Sequence, residues 1–475
     1  PDGSDDYRGT YTFSGNITPN NTGVTKIEYS KWNPNNNINA GGHSLTIGRG
    51  VDIVTNTSRI LYGSTSVFNS AQTFKIESGE YGYFYALAIN SQYTNTVAKQ
   101  TIILGNDYDR ASGENNILKI KNTMHLVMTN SYGSYSNGVA ITAKSGTFTG
   151  ELSHTTARQS DYCFYLWQNN GRGTGYRDLT IEGGVFWHIA GGYDQSNTNE
   201  NTTYLKIRVK GGTINGSVYG AAARYSVYGH RELVFTGGTI KGWIAGASDG
   251  EAAQAETEGT LNGSSFIYVG GKTQVAADDN TAIDKSIGGN VYGAGCGNTS
   301  IDNSGSVTVS TNVVVADEAY VQHSVYGGGA YGSSRGTSNV YITGTAHVGG
   351  IDDPTFNVQG GVYGGARAKG GGTVNVYMSG GLIEKGLHGG SNASGNISNN
   401  VTMQINGGQV GTTTQNANIH GGGYGSATRV LGNVNLFVGS GCGATDGVTV
   451  YGDVYGGSAE GRTNGDNSRN GSAET

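Results

Sequence analysis

The sequence predicts an all-β chain wound as a parallel β-helix, a solenoid with three short strands in each coil. Three observations indicate this fold class. The 475 residues include 83 glycines, which oppose helices because each costs about 0.8–1 kcal/mol in a helix interior relative to alanine. Short runs of alternating apolar residues recur along the second half of the chain. A glycine pair closes most of these runs, and a Val-Tyr-Gly segment or a close equivalent follows it.

The first 174 residues carry strand patterns without the glycine pair. Runs typical of half-buried strands lie at Ser44–Gly48, Thr73–Ile76, Thr101–Leu104, Ile117–Ile120 and His125–Met128. We therefore assign residues 1–174 to less regular coils and residues 175–475 to regular coils. No composition break or linker separates the two parts, so one continuous domain is predicted.

The repeat unit is clearest near residue 380. Val374–Met378 alternates apolar and polar residues, so its two valines and its methionine share one face of a strand. Gly380-Gly381 ends this run, and two further strand signals follow at Leu382-Ile383 and Gly386–Gly390. Glycine at the corners permits a positive φ and a close approach of neighbouring coils. Each unit therefore predicts one turn of a three-sided prism, paired with the next turn through a parallel ladder.

The glycine pairs recur at irregular intervals. When Thr311 is taken as the equivalent of a missing glycine, the first-glycine positions are 183, 211, 237, 270, 311, 344, 380, 407 and 439. Their mean spacing predicts coils of about 32 residues. A regular signature with irregular spacing is typical of a solenoid whose strands keep register while its loops differ in length.

The last repeat ends at Val454–Gly457, and a polar segment continues from it to Thr475. In the preceding units another alternating strand begins shortly after such a loop. An end coil without a cap exposes unpaired backbone and apolar core. Two interpretations follow: the chain is a fragment of a longer protein, or its C-terminal coil stacks end to end on another copy.

Composition narrows the classes of function. Charged residues make up only 13% of the chain and the net charge is −6, a balance that opposes nucleic-acid binding and favours a neutral polar surface. Such a surface is typical of secreted and cell-surface repeat proteins, and no apolar segment is long enough to span a membrane. Cys163, Cys296 and Cys442 do not have the spacing of a disulfide framework or a zinc site. We predict an extracellular or cell-surface protein without a cofactor.

A row of aromatic and imidazole rings marks the third strand of successive coils. Its members are Tyr219, Tyr292, Tyr326, Tyr363, His388, His420 and Tyr455. With a valine or its equivalent facing the core, we expect these rings to point outward. They form either a stack in which each ring covers the next, or an extended platform for the apolar faces of sugar rings. The second interpretation makes them candidate glycan-binding residues.

The region from residue 154 to residue 200 departs furthest from the repeat. It contains the candidate residues of a cleft, namely Asp161, Tyr162, Trp167, Arg172, Arg177, Trp187, His188 and Asp194. Long insertions on a β-helix often carry function, so a catalytic cleft is expected here if the chain has one. The alternative is a surface loop without chemistry.

The Val-Tyr-Gly coils resemble right-handed parallel β-helix proteins of the pectin-lyase-like superfold. More closely, they resemble glycine-rich, adhesin-like surface proteins of bacteria. The segments that carry the resemblance are Gly212–Gly220, Gly238–Gly246 and Val362–Gly365. The resemblance implies a single-stranded, right-handed helix. Lyases of this superfold imply an acidic calcium site with a basic residue, whereas the outward positions here are Asn, Thr, Tyr and Gly.

The sequence therefore predicts a non-catalytic, adhesin-like or structural rod on a bacterial surface, which binds glycans or a receptor on a host or neighbouring cell. One alternative is a filament subunit that assembles through homotypic, end-to-end stacking of β-helices. Another is a polysaccharide lyase or glycoside hydrolase that uses the region from residue 154 to residue 200, where paired carboxylates would be required.

Overall fold

The computed structural model places side chains over most of the second half of the chain and in shorter segments before it. The residues so described are 44–48, 71, 73–79, 101–107, 118–120, 140–148, 177–191, 204–221, 226–248, 259–277, 288–297, 304–352, 359–439 and 447–463. For further short strands only the backbone is described. Within this part of the chain every regular element is a strand, and none is a helix that could cross a membrane. The all-β prediction is confirmed.

The chain divides into two compact units, Pro1–Ile214 and Asn215–Thr475. Each unit is built from rows of strands in which a strand pairs in parallel with its equivalent from the next repeat. This arrangement is compatible with a parallel β-solenoid. The division at residue 174, which follows the regularity of the repeat, stays a prediction.

Unit 1 contains five rows of parallel strands. The first row comprises Thr25–Ile27, Leu45–Ile47, Thr73–Ile76, Gln100–Leu104, Tyr135–Ala143, Gly175–Ile181 and Tyr204–Val209. The second comprises Gly79–Tyr81, Leu118–Ile120, Thr147–Phe148, Val185–Phe186 and Thr213–Ile214. The third comprises Ile38–Asn39, Arg59–Leu61, Tyr83–Tyr85, Met124–His125, Tyr162–Tyr165 and His188–Ala190. Two small sheets comprise Thr10–Tyr11, Lys31–Trp32 and Asp52–Ile53, and Ala88–Ile89, Met128–Thr129 and Gln168–Asn169.

Four of the five strands predicted in this region are present. The segment His125–Met128 instead joins the ends of two strands, Met124–His125 and Met128–Thr129, which belong to different rows.

Unit 2 contains three main rows. The long-strand row comprises Val227–Phe235, Leu261–Val269, Ser310–Val315, Thr337–Ile342, Thr373–Ile383, Val401–Val410 and Val434–Val438. The short-strand row comprises Thr239–Ile240, Gln274–Val275, Tyr320–Val321, His347–Val348 and Val448–Val450, together with the ends of the two longest strands. The Val-Tyr row comprises Val218–Tyr219, Ile244–Ala245, Val291–Tyr292, Ser324–Tyr326, Gly361–Tyr363, Gly386–His388, Asn418–His420 and Val454–Tyr455. A small sheet comprises Ser394–Ile397, Ala427–Val430 and Arg462–Thr463.

Register is kept along each row although the loops differ in length. In the Val-Tyr row, Ile244 pairs with Val291 in the next repeat, 47 residues further along the chain, whereas Val362 pairs with Leu387, only 25 residues further. Valine or its equivalent therefore meets valine in each of these pairs, and ring meets ring except at Ala245. The alternation predicted for the long strands also holds, because Val374, Val376 and Met378 are buried while the residues between them are partly exposed.

Inside unit 2, hydroxyl side chains of the long strands bond to glycine carbonyls of the Val-Tyr row. Thr311 Oγ1 donates to the carbonyl of Gly327 at 2.6 Å, and Ser338 Oγ donates to that of Gly364 at 2.7 Å. A Cβ added at Gly327 would overlap Ser338 Oγ. Glycine after the ring residue is therefore required by the close approach of the long strand.

One corner lies elsewhere than the glycine spacing predicts. Thr311 is buried inside the strand Ser310–Val315 and is not the equivalent of a corner glycine. Val269 pairs with Val315, so the corner that matches Gly270-Gly271 is Ala316-Asp317. Asp317 adopts a positive φ of 57°, which aspartate tolerates better than most residues. Its carboxylate accepts hydrogen bonds from Tyr268 Oη at 2.7 Å and from the Gly271 amide at 2.9 Å, which hold the turn.

Candidate functional site

The rings of the Val-Tyr row form a continuous stack from Tyr292 to Tyr455. Successive centroids are 5.1, 5.1, 4.8, 5.0 and 4.9 Å apart, and the planes of each pair lie within 13° of parallel. The members in order are Tyr292, Tyr326, Tyr363, His388, His420 and Tyr455. In-register pairing imposes this spacing, because neighbouring parallel strands lie about 4.8 Å apart.

Tyr219 joins this stack through a tryptophan. Ala245 occupies the ring position of the next strand, and Trp243, two residues earlier, fills the space that a ring would take. Its indole contacts both Tyr219 and Tyr292 edge to face, with centroids 6.2 Å apart in each case. Trp243 lies outside the Val-Tyr register, so the periodic ring pattern of the sequence does not identify it as a neighbour of the stack.

Six of the seven rings are buried, and only Tyr455 is exposed. In the buried pairs the valine is covered as well as the ring, so the expected outward orientation of the rings stays a prediction. Segments beside the strands cover the rings and bond to their hydroxyls. Asn392 Nδ2 donates to Tyr326 Oη at 3.0 Å, and Tyr363 Oη donates to the carbonyl of Gln359 at 2.8 Å.

Stacking also decides which ring faces are accessible. Inside the stack each ring covers the faces of its neighbours, so a sugar ring cannot lie flat on them. Tyr455 is 45% exposed and ends the stack within the described residues. The extended platform therefore reduces to one accessible tyrosine, while ligand binding by the seven residues stays a prediction.

Two histidines replace tyrosine within the stack. His388 is 1% exposed, and neither of its ring nitrogens has a hydrogen-bond partner among the described residues. Nδ1 of His420 is also buried without a partner there. Burial lowers the pKa of His388 well below its usual value of 6.5, and the neighbouring His420 lowers this pKa further. Burial likewise lowers the pKa of His420. Both imidazoles are therefore neutral at pH 7.

A cleft of about 500 Å³ lies against these two imidazoles, and we refer to it as the histidine cleft. Its lining residues are Gln359, Lys385, His388, Asn416, Asn418, His420, Tyr424, Tyr455, Ser458, Ala459 and Glu460. Tyr424 meets the ring of His388 edge to face at 5.3 Å. Lys385 Nζ lies 3.4 Å from Asp352 Oδ2, so its charge is partly balanced. The cleft thus combines rings, amides and one ionisable group of each sign.

Three members of the cleft, His388, His420 and Tyr455, are predictable from the sequence because they share a register position. The remaining members lie at strand ends and in the loops of four repeats. Their positions follow no period, so no sequence signal joins them.

The two imidazoles cannot share one zinc ion. Zinc–nitrogen bonds are about 2.0–2.1 Å long, so two nitrogens on one zinc lie at most about 4.2 Å apart. Here the rings are 5.0 Å apart and 6° from parallel, which keeps equivalent nitrogens at about that spacing. In the described part of the chain, no group of three His, Cys, Asp or Glu residues has the arrangement of a metal site.

The structure describes only part of the second candidate cleft. Arg177 is buried, and the rings of Trp187 and His188 meet edge to face at 6.1 Å. Tyr162 lies in a strand whose backbone pairs it with His188. The remaining candidates, Asp161, Trp167, Arg172 and Asp194, lie outside the described residues. A cleft in this region stays a prediction.

Comparison with known proteins found no matching family model, no similar curated protein and no similar solved structure.

Proposed function

We propose that this chain is a non-catalytic rod at a bacterial surface, adhesin-like or structural, which binds glycans of a host or neighbouring cell. In this proposal the rod is a single-stranded, right-handed parallel β-helix with about 32 residues and three strands per coil. It is extracellular and resembles the glycine-rich, adhesin-like members of the pectin-lyase-like superfold.

The observation that carries the proposal is the ring stack from Tyr292 to Tyr455. Aromatic pairs contribute about 0.5–1.5 kcal/mol each beyond the area they bury, so the strands of the Val-Tyr row from Tyr292 to Tyr455 add rigidity to the repeats. A second ladder supports the same role: Asn375 Nδ2 donates to Asn339 Oδ1, and Asn339 Nδ2 donates to Asn312 Oδ1, each at 2.9 Å. Ladders that repeat one side chain favour a scaffold over a catalytic centre, which needs different groups at one point.

A neutral polar surface supports glycans as the partner. The partly exposed positions of the long strands present amides, hydroxyls and tyrosines, including Asn339, Asn375 and the stacked pair Tyr341 and Tyr377. Amides and hydroxyls both donate and accept hydrogen bonds, as sugar hydroxyls do.

The test is binding of the purified full chain to an array of immobilised glycans, followed by analysis of each bound glycan in solution. We expect saturable binding to a subset of glycans that are recovered at their original length. Binding to no glycan would refute the glycan-binding role. Shortened or unsaturated products would instead favour the enzyme alternative.

A specific observation also favours the filament alternative. Apolar residues at positions that are buried in the preceding repeat are exposed in the last described strands: Val454 is 47% exposed, whereas its partner Ile419 is fully buried. Val438 is likewise 40% exposed, whereas its partner Ile405 is fully buried. An apolar strand edge of this kind pairs readily with another coil.

Light scattering and electron microscopy at increasing protein concentration test this alternative. End-to-end particles that Val438→Lys and Val454→Lys abolish would support it. Particles of constant length at every concentration would count against it. Thr402→Lys, on a partly exposed position within the long-strand row, serves as the control for added charge.

A further inference from the structure

We propose that the histidine cleft binds one neutral saccharide unit, with His388 and His420 as its hydrogen-bonding wall. The inference rests on the proposed glycan-binding function and adds a defined site to it. Four observations support this inference: the two imidazoles are neutral, histidine replaces tyrosine where the cleft begins, the cleft has the volume of a small-molecule site, and its rim carries amides and an exposed ring.

The imidazoles determine the class of ligand. A neutral imidazole has one nitrogen that donates and one that accepts. Both nitrogens of His388 lack a partner among the described residues and are almost fully covered, so a ligand must displace a neighbouring side chain to reach them and must both donate and accept. A carboxylate only accepts and an ammonium group only donates. Hydroxyl groups do both, and a sugar carries several of them on one ring.

Replacement of tyrosine by histidine creates the space. At the two preceding positions, the hydroxyls of Tyr326 and Tyr363 extend to Asn392 and to the carbonyl of Gln359, and they fill the layer beside the strands. An imidazole has no such hydroxyl. The cleft begins at the first position where the stack changes from phenol to imidazole.

The size of the cleft suits a small ligand. Its volume of about 500 Å³ lies in the range of roughly 300–1,000 Å³ typical of small-molecule sites. The parallel imidazoles exclude a shared zinc ion, as their spacing shows. A ligand with its own hydrogen-bonding groups fits this geometry better than an ion does.

The rim supplies the contacts that sugars commonly need. Asn416 and Gln359 provide amides, and Tyr455 provides an exposed ring on which the apolar face of a sugar can pack. Glu460 and Lys385 carry opposite charges, so the rim favours neither cations nor anions. These features together indicate a neutral saccharide unit, either a terminal sugar or a branch of a longer glycan.

The test measures binding of a panel of neutral methyl glycosides to the full chain by saturation-transfer NMR and calorimetry. We expect at least one glycoside to bind and to shift the imidazole ¹⁵N signals of His388 and His420. His388→Phe and His420→Phe keep a flat ring in the stack but remove the nitrogens, so each should weaken binding roughly tenfold. Tyr320→Phe, in the short-strand row and outside the cleft, should leave binding unchanged.

His388→Tyr provides a second variant in case a phenylalanine disturbs folding. It restores the residue type found at Tyr326 and Tyr363, so it should fold and should fill the cleft. If glycans bind on the array but no glycoside shifts the imidazole signals, or if the histidine variants bind as the wild type does, the cleft inference is overturned while the proposed function stands. If nothing binds in either experiment, both fail.

Discussion

The imidazole of His388 lies parallel to that of His420, with ring centroids 5.0 Å apart and planes inclined by only 6°. Tyr363 stacks on the other face of His388 at 4.8 Å, and Tyr455 on the other face of His420 at 4.9 Å. Two neutral imidazoles are thus held between two phenols by the register of the strands. A charge on either imidazole would have no carboxylate beside it in this stack.

This arrangement predicts that acid destabilises the repeats around the pair. The folded-state pKa of each histidine is lowered from 6.5, so below pH 6.5 the unfolded chain binds more protons than the folded chain. Stability is therefore complete above pH 6.5 and is lost as the pH falls toward the folded-state pKa. The slope is at most about 1.4 kcal/mol per pH unit for each histidine.

Hydrogen exchange of the segment 386–424, measured above and below pH 6.5, checks this prediction. We expect faster exchange in acid for the wild type and a weaker dependence for the double variant His388→Tyr and His420→Tyr. Other ionisable groups near the pair include Tyr363, Tyr455, Tyr424, Lys385 and Glu460, and the double variant leaves all of them in place. Equal pH dependence in both proteins would contradict the assignment.

Gly327→Ala should destabilise unit 2 by about 1–3 kcal/mol, because the new methyl group would overlap Ser338 Oγ and the carbonyl of Gly364. Gly456→Ala is the matched control. Gly456 holds the same position after Val-Tyr, but an added Cβ there meets nothing within 4 Å. Urea denaturation measures both changes. A control that loses as much stability as Gly327→Ala would show that backbone freedom, not close approach, explains these glycines.

Tyr326→Ala should cost about 3–5 kcal/mol, because it removes a fully buried ring between two stacked partners and leaves Asn392 Nδ2 without its acceptor. Tyr341→Ala provides the comparison. Tyr341 stacks on Tyr377 at 4.9 Å but is 36% exposed, so its loss should cost about 1 kcal/mol. Thermal and chemical unfolding of the two variants should separate them clearly. If both variants lost a similar amount of unfolding free energy, the rings of the Val-Tyr row would not be buried in the folded protein.

The sequence predicts the strands well because their signal is local. Alternation in Val374–Met378 identifies the strand, and the glycine pair marks its corner. It predicts the ring stack for the same reason, since ring positions recur at one register. Burial of the rings could not be predicted in this way, because period-two alternation assumes one solvent-exposed face, whereas the segment containing Asn392 covers the ring of Tyr326.

Other features depend on contacts between distant residues and leave no local signal. The corner at Ala316-Asp317 was misplaced to Thr311 because it contains no glycine, and the Asp317 turn depends on Tyr268, 49 residues away. The histidine cleft draws on loops whose lengths follow no period. Gln359 and Glu460 are distant in the sequence, and they line the same cleft only because the repeats stack on one another.

The central claim, that equivalent strands of successive repeats pair in parallel register, is tested most directly by disulfide crosslinking. Tyr341 pairs with Tyr377, which in turn pairs with Gln404. Adjacent strands lie about 4.8 Å apart, within the range of about 4.4–6.8 Å between Cα atoms that a disulfide spans.

In a chain with Cys163, Cys296 and Cys442 replaced by alanine, Tyr341→Cys with Tyr377→Cys should form a disulfide rapidly. Tyr341→Cys with Gln404→Cys, two strands apart, should not. Efficient crosslinking of the second pair, or failure of the first, would contradict the register on which the fold, the ring stack and the cleft depend.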